Sequence, residues 1–308
     1  MLVPLAGGGQ ETLLSEVGFV LLPFFTTPDA CALRLVCREF LAAVTEQPWE
    51  DAATELGGSL ASWRACFPCA RAATLSRFRA GSIVDADFVH LRGLRRLTMR
   101  FCRGFTDAAF VHLAGIHTLD MAYCSQVTIT DAAFAHLRGI HTLDMSYCTQ
   151  DTITDAAFAH LRGIHTLRMR GCCQATITDA AFVHLCGLHT LNMGWCTQPG
   201  ITDAAFAHLR GLHSLDMTHC RQRGITDAAL AHLRGIHTLC IYGCHQLTDA
   251  AFAHLRGVHT LDMGWCVQAG VTAAALAHLH GIDTLRMRHC TPELIASAVA
   301  LGLPAYPL

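Results

Sequence analysis

Along most of the chain the apolar and polar positions follow one short cycle. The segment TDAAFAHLRGIHTLDMSYC, from Thr130 to Cys148, recurs with few changes. Two periods meet inside it. In LDMSYC, alternation puts Leu143 and Met145 on one face and Asp144 and Ser146 on the other, which predicts a strand. Upstream, Thr130 is a predicted helix N-cap, with Asp131 in the first turn where the helix dipole favours negative charge. A helix is predicted over Ala132 to His136. Phe134, Leu137 and Ile140 continue its apolar face, and Gly139 marks the turn out.

The strand anchor has the form L-x-M-x-x-C, with Ile241 replacing Met once. It begins at Leu97, Leu119, Leu143, Leu167, Leu191, Leu215, Leu239, Leu261 and Leu285, in steps of 22 or 24 residues. A degenerate first copy is placed at Leu75, with Ala80 in the Cys position, which makes ten. One strand–helix unit cannot bury its own apolar face, but stacked neighbours can. The predicted fold is therefore an α/β solenoid. Ten parallel strands spaced about 4.8 Å apart make an inner arc of roughly 45 Å.

The period and the L-x-x-L-x-L-x-x-C pattern resemble leucine-rich repeats of the cysteine-containing type. Cys102, Cys124, Cys148, Cys172, Cys196, Cys220, Cys244, Cys266 and Cys290 hold the position usually taken by Asn. The resemblance spans Leu75 to Cys290 and implies a horseshoe of about ten units.

Residues 11–50 lack the repeat, and six of the seven Glu fall within residues 11–55. Pro23, the turn TTPD and Pro48 break this segment into short helices, with Asp29 the predicted N-cap of a helix from Ala30 to Val44. The apolar run Leu13, Glu16, Val17, Phe19, Leu21, Leu22, Phe24, Phe25, the stretch PDACALRLVCREF from Pro28 to Phe40, and Trp49 together resemble an F-box. Leu14 stands where that family has an early Pro. The resemblance implies docking of a Skp-type adaptor, and through it a cullin, by Leu13, Leu14, Leu21, Leu33, Val36, Phe40 and Trp49. The predicted organisation is a tail over 1–10, an F-box-like helical bundle over 11–50, a linker and cap over 51–74, repeats over 75–290 and a C-terminal cap over 291–308.

Composition narrows the function. The net charge of -2 and a charged fraction of 15% argue against binding nucleic acid through bulk positive charge. The longest apolar runs, such as Val17 to Phe25, are too short to span a bilayer, so no membrane partner is expected. Sixteen Cys without a visible secretory signal suit a reducing compartment, cytoplasmic or nuclear, and thiols rather than disulfides are expected. All 22 basic residues are Arg; the chain contains no Lys.

Two His columns recur. One, from His90 to His278, adjoins the last helical Leu. The other, from His117 to His259, lies in the turn before the strand. An open row does not supply the four converging ligands of structural zinc, and Cys66-Phe-Pro-Cys69 lacks a second pair, so no metal or cofactor is expected. The Gln two residues after each repeat Cys, from Gln126 to Gln268, predicts a ladder of amides. Every Asp or His that might suggest catalysis is repeated many times, whereas an enzyme builds one site, so no catalytic residue is expected.

Information resides where near-identical copies differ, at strand positions two, four and five. The predicted binding surface comprises Arg100, Phe101, Tyr123, Tyr147, Arg168, Arg170, Trp195, His219, Tyr242, Trp265, Arg286 and Arg288, with Asp120, Asp144, Asn192, Asp216, Asp262 and His289 beside them. Aromatics and Arg dominate interface hot spots. An F-box joined to Cys-type repeats implies a substrate receptor of a Skp–cullin–F-box ubiquitin ligase that holds an unknown protein on its inner face. A decoy that occupies the adaptor, or a repeat scaffold with no ligase role, are the alternatives.

Overall fold

The computed structural model describes Leu22 and residues 25–56, 58–75 and 83–306. One parallel sheet of eleven strands runs through it in chain order. The strands are β1 (Ala72–Thr74), β2 (Arg96–Thr98), β3 (Thr118–Asp120), β4 (Thr142–Asp144), β5 (Thr166–Arg168), β6 (Thr190–Asn192), β7 (Ser214–Asp216), β8 (Thr238–Cys240), β9 (Thr260–Asp262), β10 (Thr284–Arg286) and β11 (Ala305–Tyr306). Register is set by the repeat: Leu143 pairs with Leu119 on one side and Leu167 on the other. Equivalent residues therefore stack in columns. This is the expected leucine-rich-repeat solenoid.

Two expectations need correction. Ala73, not Leu75, pairs with Leu97, so Ala73 holds the Leu place of the first copy. Leu75 falls two residues on, in the Met place, and the first step is 97 − 73 = 24 residues. A shift by two preserves the face, which is why alternation alone did not reveal it. The second concerns the number of strands. The C-terminal cap supplies an eleventh, with Ala305 paired to Leu285.

Each helix is short. Asp131–Phe134 is α-helical, and Ala135–Leu137 tightens into a 3-10 turn. The expected span of Ala132 to His136 is thus shifted and split, because the chain must reach Gly139, at φ +81°, before turning into the next strand. Four α-helical residues are far too few to hold a helix unaided. Burial holds it instead: Phe134, Phe158, Phe182, Phe206 and Phe252 are fully enclosed between sheet and helices. They share one continuous core with the strand Leu and Met residues.

The N-terminal unit contains α1 (Thr27–Leu33), α2 (Arg38–Glu46) and α3 (Leu60–Cys66). The predicted helix from Ala30 to Val44 is interrupted at residues 34–37. Thr26, not Asp29, is the N-cap of α1; its amide donates to the Asp29 carboxylate at 3.1 Å. A separate small core joins Leu22, Ala30, Ala43, Val44, Trp49, Phe67 and Ala70. Two polar clamps fix this unit. Asp51 accepts from the amides of Thr27, Ala53 and Thr54 and from the hydroxyls of Thr27 and Thr54. Burial raises its pKa, but these hydrogen bonds outweigh it and hold the carboxyl below its ordinary value. Arg64 donates to the carbonyls of His90 and Arg92 in the first repeat and of Pro68 and Ala70 in the linker.

Candidate protein-binding face

Columns that barely vary are tied to their neighbours. Thr154 caps its own helix by accepting from the Ala156 amide at 3.2 Å. Its amide and hydroxyl both donate to Asp131 of the preceding copy at 2.7 Å. The same clamp repeats from Asp85–Thr106 to Asp249–Thr272. The Asp expected to serve the helix dipole thus also binds the next repeat, a contact 23 residues away that no local rule reports. Gln150, Gln174 and Gln246 donate to the carbonyls of Cys124, Cys148 and Cys220, so the amide ladder faces inward. The Cys148 thiol donates to the Met121 carbonyl at 3.2 Å. Burial pushes its pKa up to about 12, which keeps the proton that this bond needs.

The turn histidines form a stack from His117 through His141, His165, His189, His213 and His237 to His259. Their ring centroids lie 4.2 to 4.6 Å apart and the planes are nearly parallel. Nδ1 of His141 lies 3.2 Å from the Thr142 hydroxyl. Stacked rings aim their lone pairs in parallel, so they do not converge on an ion. The stack begins beside Arg95 and ends at Asp283, whose carboxylate is 2.8 Å from His259 Nδ1.

Strand positions two and four point to the concave side, opposite the buried Leu and Met. There the copies diverge. Arg100 pairs with Asp120 at 2.5 Å and approaches Asp144 at 3.9 Å. Burial raises the Asp120 pKa, and the Arg100 hydrogen bond opposes it. Arg170 donates to the Tyr147 hydroxyl at 3.2 Å and lies 3.9 Å from Asp216. Arg168, Arg286 and Arg288 are exposed, with no ion-pair or hydrogen-bond partner among the described residues.

Position five has a feature that alternation could not show. Every non-glycine residue with positive φ among the described residues falls in this column: Phe101, Tyr123, Tyr147, Trp195, His219, Trp265 and His289, at 55° to 63°. The cause is a tight turn that returns the Cys amide to the Met carbonyl, as Cys148 to Met145 at 3.1 Å. Its third residue must be left-handed, a place that ordinarily takes Gly and costs another residue about 1–2 kcal/mol. Gly171 and Gly243 occupy it in two copies. The exchange of Gly for aromatics in one column is the sequence signal of the strained turn.

The left-handed turn lifts each ring along the stack. Phe101, Tyr123 and Tyr147 stack at 4.4 and 4.5 Å. Tyr147 then covers Gly171 so closely that a Cβ there would lie 2.5 Å from the ring. A second group follows. Trp195 leans on His219 at 4.3 Å, and His219 meets Tyr242 and Trp265 edge-on at 5.3 and 5.4 Å. Phe101, Tyr123, Trp195 and Trp265 are exposed, and Tyr147 and Tyr242 are half-buried. His219 differs from expectation: it is buried beneath the tryptophans and bonded to Arg221 at 3.0 Å, so it supports the rings rather than presenting itself. Burial, then the nearby Arg221 charge, lowers its pKa.

Of the residues expected to meet an adaptor, Leu13, Leu14 and Leu21 lie outside the described residues. Val36 is 66% exposed, beside Leu35 at 89%. Leu33 and Phe40 are half-buried, with Leu33 packed on the small core. Trp49 is a correction. It is buried, its indole donates to the Val44 carbonyl at 2.8 Å, and it meets Phe67 edge-on, so it props the bundle and offers no surface. No helix among the described residues is long and apolar enough to cross a membrane.

No protein-family model matches the sequence, and no curated protein is similar to it in sequence. Solved structures share its fold. The yeast Rad7–Elc1 complex contains a chain that is 16% identical, with a TM-score of 0.54, covering 76% of this chain and 68% of that one. An internalin, InlF, from Listeria monocytogenes is 18% identical at a TM-score of 0.57, covering 79% and 68%. The Drosophila Toll–Spatzle complex gives 14% identity and 0.55, covering 80% of this chain and 42% of that one. At these identities the likeness establishes the leucine-rich-repeat fold alone.

Proposed function

We propose that the chain is the substrate-recognition subunit of a Skp–cullin–F-box type ubiquitin ligase. The observation that carries this reading is the presence of two unlike surfaces on one molecule. The helical unit exposes apolar side chains, Leu35 and Val36 with Leu41 and Phe25, which suit an apolar helix-to-helix contact with an adaptor. The concave face exposes aromatic rings and unpaired guanidiniums, which suit recognition of a protein substrate. The chain supplies binding and geometry, and recruited partners supply the chemistry. The likeness to the Rad7–Elc1 complex supports binding of a partner protein. The lack of Lys leaves no side-chain amine for self-conjugation with ubiquitin.

Reconstitution with a Skp-type adaptor and a cullin tests the first surface. The double variant Leu35→Asp, Val36→Asp should abolish co-purification, because docking would bury two unpaired charges. Both residues are exposed, so the variant should stay folded. Retained binding by the folded variant would remove the ligase reading and leave a repeat scaffold. For the second surface, Trp195→Ala and Trp265→Ala should each weaken substrate capture by roughly 2 kcal/mol. Equal capture by both variants would move the site off the concave face.

A further inference from the structure

The solenoid has two edges of opposite character. The edge at the helix N-termini carries the Asp column, and Thr of the next copy satisfies it. The edge at the helix C-termini carries Arg138, Arg162, Arg210, Arg234 and Arg256, all exposed. Its one acid beyond the helix starts is Asp283, already engaged by His259.

The arginines on this edge fall into two states. Arg92 and Arg162, each followed by a copy without the column Arg, fold onto the neighbouring His. Arg92 donates to His112 Nδ1 at 3.0 Å next to Ala114, and Arg162 lies 3.3 Å from His184 Nδ1 next to Cys186. Where three copies in a row keep it, no such bond forms. Arg210, Arg234 and Arg256 have no ion-pair or hydrogen-bond partner among the described residues. Two clefts of about 330 Å³ each open between them. Arg210, His232 and Arg234 line one, and Arg234, His254 and Arg256 line the other.

We infer that these two clefts are anion subsites of a second binding surface, and that its occupant is an extended acidic peptide segment. Guanidiniums on both sides of a cleft match the planar, bidentate geometry of a carboxylate, and the imidazole between them offers one more ring nitrogen. The spacing fits a peptide. Successive copies are about 4.8 Å apart at the strands and about 8–10 Å apart where helices pack. Side chains at this edge can fan out within those bounds. Alternate side chains of an extended chain repeat every 6.6–6.8 Å or so, inside the same interval. Single-stranded nucleic acid fits less well, because it needs free ring faces for base stacking. Neither cleft is lined by Phe, Tyr or Trp, and the turn imidazoles beside them, His213 and His237, stack on one another.

The probe is a fluorescein-labelled peptide of alternating glutamate and alanine, read by anisotropy against the full chain. Arg210→Ala, Arg234→Ala, Arg256→Ala together should weaken binding about tenfold or more, and added salt should weaken binding to the wild type steeply. A second triple variant, Arg38→Ala, Arg103→Ala, Arg223→Ala, removes the same charge from exposed positions elsewhere and should change affinity less than about twofold. Arg234→Lys alone should give a partial loss, because a point charge replaces the fork. All substituted side chains are exposed, with no ion-pair or hydrogen-bond partner among the described residues, so melting temperatures should match. Equal losses in the two triple variants, or none in the first, would overturn the inference. So would tighter binding of poly-uridylate RNA or of phosphatidylserine vesicles through the same three arginines.

Discussion

The helical unit and the repeat arc solve the same burial problem to different depths. In the arc each apolar side chain meets its own copy one repeat away, and the Phe, Leu and Met columns are closed off from water. The invariant Thr, Asp and Cys side chains find partners in the next copy or the one before, and so do Gln150, Gln174 and Gln246. The helical unit has a core of seven fully buried residues among those described, and it leaves Leu35 and Val36 in water. Repetition lets a short motif complete itself. A unit that occurs once must close its core from within, and among the described residues this one leaves Leu35 and Val36 uncovered.

Substitutions on either side of this contrast should differ most. Phe158→Ala in the arc core should cost about 3–5 kcal/mol in denaturant unfolding, because a fully enclosed ring leaves a cavity that stacked copies cannot close. Val36→Ser should change stability by less than about 0.5 kcal/mol. Equal costs would mean that the helical unit is as completely packed as the arc.

Next in size is the joint between the two regions. Arg64→Met removes the donors to carbonyls of the linker and first repeat, and a charged donor of this kind is worth about 1.5–3 kcal/mol. It should also separate the unfolding of the two regions. Fluorescence of Trp49 and Trp63 should then change at lower denaturant than far-ultraviolet circular dichroism, which the arc dominates. A single shared transition would show that another contact couples them.

Within the arc, Thr154→Val deletes the cap to Ala156 and one of the two bonds to Asp131. The expected cost is about 1–2 kcal/mol by thermal or denaturant melting. The surface Thr45, on α2, bonds only its own helix carbonyl at 2.6 Å, and Thr45→Val should cost much less. A cost at Thr154 no greater than that at Thr45 would mean that the inter-repeat clamp adds nothing.

The smallest effect is that of acid on the histidine stack. Burial among neighbours, then repulsion from the flanking imidazoles, lowers the pKa values of His141, His189 and His237. In that range the unfolded chain binds more protons than the folded one. Their stabilising contribution is therefore complete above the unfolded value of about 6.5 and is lost as pH falls through the lower folded values. The melting temperature should decline between pH 7.5 and 5, and replacing these three His with Asn should flatten the decline. An unchanged slope would assign the effect to other groups.

The sequence made the fold legible because every copy repeats the same evidence: Leu143 and Met145 alternate, Thr130 caps and Gly139 turns. It was silent where the relation crosses copies. Asp131 reads as a helix-dipole residue until Thr154 is placed beside it. Ala73 and Leu75 share a face, so pattern alone could not decide between them. For the binding face, the divergent positions were visible, but their arrangement was not. His219 and Trp49 look like contact residues by type, and packing buries both. The left-handed turn that lifts Tyr147 and Trp195 shows only through Gly171 and Gly243 in the same column.

The clamps and strand bonds of the arc all run along one axis, each joining a copy only to the next. Under tension along that axis they are loaded in series, like links in a chain, and the weakest link yields first. Held by its ends, the molecule should peel from an outer copy inward rather than shear as a whole. Each yielded copy of 24 residues would release about 80 Å of contour at full extension. Because the copies are so alike, the force–extension trace should be a run of nearly equal teeth, and the arc can lengthen under load without losing its interior all at once.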